Sequence, residues 1–79
     1  MEINKNIAIS DSGFVFNPST GDSFSTNQIG VEIINLLKEG KEISEVVNEV
    51  TSKYNVEKSN LEKDLGDFFS MLTSFQIIK

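Results

Sequence analysis

The sequence contains no cysteine and no histidine. Without thiol pairs there is no disulfide framework, and without Cys or His ligands there is no structural zinc site to supplement a small core. The same absences remove the Ser/His/Asp and Cys/His nucleophile arrangements, leaving carboxylates, lysines and hydroxyls as the reactive side chains. Catalysis is not expected, and neither is a cofactor. Arginine is missing as well: the 7 cationic side chains are all lysines, set against 12 carboxylates for a formal charge of −5. No segment reaches the roughly 18 uninterrupted apolar residues that a membrane-spanning helix needs. The start, Met1-Glu2-Ile3-Asn4-Lys5-Asn6, lacks the basic region and apolar stretch of a secretory signal. A cytoplasmic protein without membrane contact is the expectation, and Met1 favours a free-standing gene product.

What is present is one core's worth of apolar residues. A chain of 79 residues hides only roughly 60–65% of its unfolded surface on folding, so a single domain over residues 1–79 is expected, held by hydrophobic patterning alone. The pattern changes along the chain. Ile7 and Ile9 alternate with polar or small neighbours, Asp11-Ser12-Gly13 supplies turn chemistry, and Phe14 and Phe16 flank Val15, together a hairpin. Asn17-Pro18-Ser19-Thr20-Gly21-Asp22 is a loop built on the only proline. A third strand, Asp22 to Thr26, is polar apart from Phe24, the mark of an edge position with backbone groups to offer.

Helical periodicity takes over from there. Asn27 is a suitable N-cap for a first helix from about Gln28 to Glu39, with Ile29, Ile33, Leu36 and Leu37 on one face, Gly30 at its border and Gly40 as the closing residue. A second helix starts between Glu42 and Ser44 and ends near Tyr54, with the stripe Ile43, Val46, Val47, Val50 and Tyr54. Its three valines make helicity dependent on packing. A third runs from about Glu57 to Ser74 on the spine Leu61, Leu65, Phe68 and Leu72, with Phe69 and Met71 on opposite flanks. Phe75-Gln76-Ile77-Ile78 reads as a short terminal strand or a packed tail. The fold class is α+β: three short antiparallel strands followed by three helices, resembling a winged helix-turn-helix.

That architecture raises DNA binding, and charge opposes it. The third helix carries Lys58 and Lys63 against Glu57, Glu62, Asp64 and Asp67, and no arginine is available to fork onto guanine or phosphate. An acyl carrier reading fails because Asp11-Ser12 leads into a hairpin and Asp22-Ser23 into a strand, neither into a helix. Asp64 and Asp67 lack the oxygen-rich glycine loop of a calcium site, so no metal is expected. Phe14, Phe16, Phe24, Phe68 and Phe69 are expected in the core, where a small domain needs aromatic area, with Phe69 and Met71 the pair that a groove would otherwise claim.

Phe14-Val15-Phe16-Asn17, the Thr20-Gly21-Asp22 turn, Asn27 through Leu37, and Asp64-Leu65-Gly66-Asp67-Phe68-Phe69-Ser70-Met71-Leu72 together resemble the PqqD family, named for the pyrroloquinoline quinone biosynthesis protein D. The resemblance covers Phe14 to Ile78. Thr26 stands where the family usually has Leu, Glu42 where it has Thr, and Ser74-Phe75 where a Gly is common after the third helix. The resemblance implies a non-catalytic recognition element for ribosomally synthesised, post-translationally modified peptides. Such a domain holds the leader segment of a precursor as an added strand and presents it to a modifying enzyme. On this chain it implies a peptide site on Asp22, Ser23, Phe24, Ser25 and Thr26, with Leu61, Asp64, Leu65, Phe68, Phe69 and Leu72 of the third helix. Of these, Leu65, Phe68 and Leu72 are expected to be core alone. The implied partners are the precursor leader and a peptide-modifying enzyme; the charge balance speaks against nucleic acid, and a monomer is favoured with the oligomeric state open. The alternatives are a winged-helix DNA-binding protein and a small interaction or assembly domain.

Overall fold

Period-two alternation followed by helical periodicity produces the architecture that a computed structural model shows for residues 3–78; Met1 and Glu2 of the stretch read above for a signal, and Lys79, lie outside the described residues. Strands β1 (Ala8–Ile9), β2 (Phe14–Asn17) and β3 (Asp22–Ser25) precede helices α1 (Gln28–Lys38), α2 (Ile43–Lys53) and α3 (Lys58–Ser74). The sheet is antiparallel in the order β1-β2-β3, so β3 is an edge as its polarity implied. Thr26 falls one residue past β3 but still donates its N–H to Gly13 O at 2.7 Å. No described helix is long and apolar enough to cross a membrane.

One face of the sheet points at the core. Val15 pairs directly with Ile9 and Phe24, which places these three side chains together on the inner face with Asn17. Val15 is fully buried, as are Ile7, Ile34, Val46, Val50 and Leu72 of the same core cluster. α2 packs against both α1 and α3, and an ion pair from Lys53 to Glu32 ties α2 to α1 and raises the Lys53 pKa, chiefly through the hydrogen bond to Glu32.

The helix ends follow from their caps. Asn27 Oδ1 accepts from Gly30 N–H at 2.8 Å, and Glu45 Oε1 accepts from Glu42 N–H at 3.1 Å, so a glutamate pair opens α2. α1 closes with Gly40 at φ +86, its N–H on Leu37 O and that of Lys41 on Leu36 O, the paired bonds of a Schellman motif. α3 closes the same way: Gln76 N–H reaches Thr73 O and Ile77 N–H reaches Leu72 O, with Gln76 at φ +58. The turn sends Ile77 and Ile78 back into the core, where Ile78 forms an antiparallel bridge with Ile3. The terminal segment is thus a packed tail with a single bridge.

Two core expectations are corrected. Phe14 and Phe16 are 51% and 37% exposed. The pleat allows only one parity of β2 to face inward, and Val15 with Asn17 takes it. Ile43 is 41% exposed, because it sits in the first turn of α2, at the end of the stripe formed by Val46, Val47 and Val50.

Candidate functional site

β3 brings an unpaired edge to the surface, and the register says which residues present it. Thr26 N–H bonds Gly13 O, so the Gly13–Thr26 pair belongs to the hydrogen-bonded set. Antiparallel pairs alternate, which makes Val15–Phe24 and Asn17–Asp22 hydrogen-bonded and leaves Phe14–Ser25 and Phe16–Ser23 as the intervening set. On the other side of β2, Ser10 N–H donates to Phe14 O at 2.9 Å, the matching alternation toward β1. Ser23 and Ser25 therefore aim their backbone N–H and C=O groups outward, away from β2.

That edge runs straight into a groove. Thr26 and the cap residue Asn27 join β3 to α1, and beyond them opens a cavity of about 490 Å³ between the start of α1, the Asn55–Glu57 connection and the first half of α3. Clefts that take organic ligands measure about 300–1,000 Å³, so the volume admits side chains. The floor is apolar, from Ile29, Ile33, Val56, Leu61, Leu65 and Phe68, and the rim carries Asn60, Glu57 and Asp64. Glu57 and Asp64 are exposed, and no lysine lines the cavity. Among the described residues no cluster of side chains has metal-holding composition.

Gly30 makes the junction of edge and groove possible. A Cβ there would lie 1.9 Å from Thr26 Oγ1 and 3.0 Å from its Cβ, so the Thr26 side chain occupies the space that a side chain at residue 30 would need. The strand exit and the first turn of α1 approach as closely as they do because residue 30 is glycine.

The residues anticipated from the sequence divide accordingly. Thr26, Leu61, Asp64, Leu65 and Phe68 meet in the groove, and Asp22, Ser23 and Ser25 are exposed along the strand beside it. Phe24 points inward and stacks on Phe75, ring centroids 4.9 Å apart and 28° between planes, which fastens the edge strand to the end of α3. Leu72 is fully buried. Phe69 and Met71 are half-buried against the core and do not line the groove, which lies on the Leu61–Phe68 side of α3. The α1 wall, Ile29, Gly30 and Ile33, and the Asn55–Glu57 rim were not anticipated. The adjacency of Thr26 and Gly30, four residues apart at a strand-helix junction, was the one available sign of them.

Comparison with known proteins bears on this geometry. Residues 13–78 match the model of the family described as coenzyme PQQ synthesis protein D (PqqD). A solved structure of TbiB1 in complex with the TbiA(beta) leader peptide is 29% identical, at a TM-score of 0.87, over 100% of this chain and 95% of that one. A lasso peptide synthetase B1 complexed with the leader peptide is 25% identical, at a TM-score of 0.74, over 96% of this chain and 88% of that one. No curated protein sequence matches the chain.

Proposed function

This chain belongs to the PqqD family, and on that premise we propose that it is a recognition element for the leader of a ribosomally made precursor peptide. The observation that carries the reading is the continuity of an open strand edge, Ser23 and Ser25, with an apolar groove that begins at Thr26. An extended peptide entering beside β3 finds unpaired donors and acceptors for its main chain, and its side chains find the groove. Main-chain bonds give such a complex affinity, and the pockets give it selectivity. Structures of two similar proteins hold leader peptides, which supports the same use here.

The resemblance implies a leader antiparallel to β3, and the placement of the groove then sets which of its residues fill it. A leader running antiparallel to β3 passes Ser25 before Ser23, so the residues that fill the groove precede the paired segment in its sequence. The remainder of the precursor then leaves past Asp22 and the Pro18–Gly21 turn, at the end of the sheet away from the groove. The domain contributes no chemistry of its own in this scheme. It acts as a cytoplasmic monomer that holds the leader while a separate enzyme modifies the core peptide. Asp64 and Glu57 at the rim favour a leader without acidic residues at the groove.

The test is fluorescence anisotropy of a labelled leader segment from any short precursor peptide encoded beside this protein. Saturable binding is expected, weakened roughly tenfold by Phe68→Ala, which removes a wall of the groove. Absence of binding by the unaltered domain contradicts the reading.

A further inference from the structure

α3 gives the groove two rows of different chemistry. Leu61, Leu65 and Phe68 form an apolar floor, and Glu57, Asn60 and Asp64 recur at helical spacing beside them as a rim. From Glu57 to Asp64 the rim runs about 10 Å along the helix axis. Both acids are exposed, and among the described residues neither is ion-paired. Glu57 stands at the N-cap of α3 without a capping bond from its side chain. The helix dipole favours an acid at that end, but it gives no reason for Asp64 two turns further in. None of the described lysines lines the cavity, so all its charge is of one sign.

One kind of side chain suits both rows. A purely apolar group covers the floor and leaves the carboxylates facing water, and an acidic group is repelled by them. A lysine or arginine lays its aliphatic stem on Leu61, Leu65 and Phe68 and sets its charged head at the rim. Because the rim is exposed, the head stays hydrated and avoids the desolvation cost of a buried ion pair. A second copy of this chain brings lysines too, but also a charge of −5 that repels the first.

We propose that the groove selects a lysine or arginine of the leader, in the segment that precedes the residues paired along β3, with its stem on the apolar floor and its head between Glu57 and Asp64. The inference rests on the leader-recognition reading and adds to it the class of side chain that the groove takes. The edge of β3 pairs with any extended backbone, so selectivity falls to the groove. An uncharged edge at Ser23 and Ser25 beside an acidic rim then fixes the register of the leader, since sliding it by a pleat moves the cation off the carboxylates.

Anisotropy with a labelled leader segment of any short precursor peptide encoded beside this protein tests this on two pairs of near-isosteric variants. Glu57→Gln/Asp64→Asn removes the rim charge and is expected to weaken binding about fivefold, the combined effect of two exposed contacts. Glu49→Gln/Glu62→Gln removes the same charge from exposed positions that do not line the groove, and affinity within about twofold of the parent is expected because salt screens distant charges. Should the rim pair disturb the start of α3 by circular dichroism, Asp64→Asn alone is read, with a loss of about twofold. Norleucine in place of the leader's basic residue keeps the stem and loses the head. It is expected to weaken binding to the parent and to make no further difference to the rim variant, the signature of a direct contact in a double-mutant cycle. Equal losses from both pairs overturn the proposal by assigning the attraction to net charge. So does a rim variant that binds like the parent, and so does a leader that binds with no lysine or arginine ahead of its paired segment. In each of these cases the parent still binds and the recognition reading stands, whereas a parent that binds no leader brings that reading down as well.

Discussion

The side-chain amide of Asn17, at the end of β2, donates to the carbonyl of Phe75, fifty-eight residues further on, at 2.9 Å, and reaches Gln76 O at 3.4 Å. Its Oδ1 accepts from Ser19 N–H at 2.9 Å, so a fully buried polar side chain is satisfied on both ends. One residue thus forms the turn that leads into β3 and pins the end of α3 to the sheet. Replacing it with alanine strands buried carbonyls and frees the turn, at a cost of about 1–3 kcal/mol. Urea denaturation of Asn17→Ala is expected to show a lower midpoint with an unchanged slope.

The bend after α3 carries a cost of its own. Gln76 occupies the left-handed region at φ +58, in the closing position of a Schellman turn where glycine is usual. Gln76→Gly is expected to stabilise the domain by roughly 0.5–1 kcal/mol, since its relief of the Cβ clash outweighs the added freedom of the unfolded chain. Thermal unfolding checks it, and a lower midpoint would contradict the geometry at this turn.

Proline substitution separates edge from ladder. Ser23→Pro and Ser25→Pro each remove an N–H that faces outward, so both variants are expected to fold and to lose leader affinity. Phe24→Pro removes an N–H directed at Val15 in the hydrogen-bonded pair and is expected to disrupt the sheet. Circular dichroism reads the fold and anisotropy the affinity. Serine variants that fold and bind the leader unchanged would place the peptide elsewhere.

Gly30→Ala tests the strand-helix junction. The new methyl meets Thr26 Oγ1 at 1.9 Å, which forces a shift costing about 1–3 kcal/mol. Combining it with Thr26→Ala is expected to recover part of that loss, as a double-mutant cycle would show.

Much of this was legible in the chain. Asn27 and Gly40 bracket α1 as written because caps are local chemistry, and the scarcity of apolar residues in Asp22–Thr26 announced an edge. The parity of β2 was not legible, since Phe14 and Phe16 are better core residues than Asn17 by any local measure. Asn17 holds its inward place with a hydrogen bond to the carbonyl of Phe75, at the far end of the chain. The α1 side of the groove escaped for a related reason: periodicity assigns a face to each helix, but the space between α1 and α3 depends on how both lean on α2. Asn17-Pro18 read as loop, whereas Asn17 and Asp22 pair at the strand ends and only residues 18–21 turn.

The most direct test is an amide-shift titration of the nitrogen-labelled domain with the leader of any short precursor peptide encoded beside it, with duplex DNA as control. The account predicts saturable shifts at Ser23, Ser25 and Thr26, at Ile29–Ile33, and along Asn60–Phe68, with Ala8 and α2 little changed and no response to DNA. Shifts absent from β3 and the groove, or a salt-dependent response to DNA in place of the peptide, would contradict it.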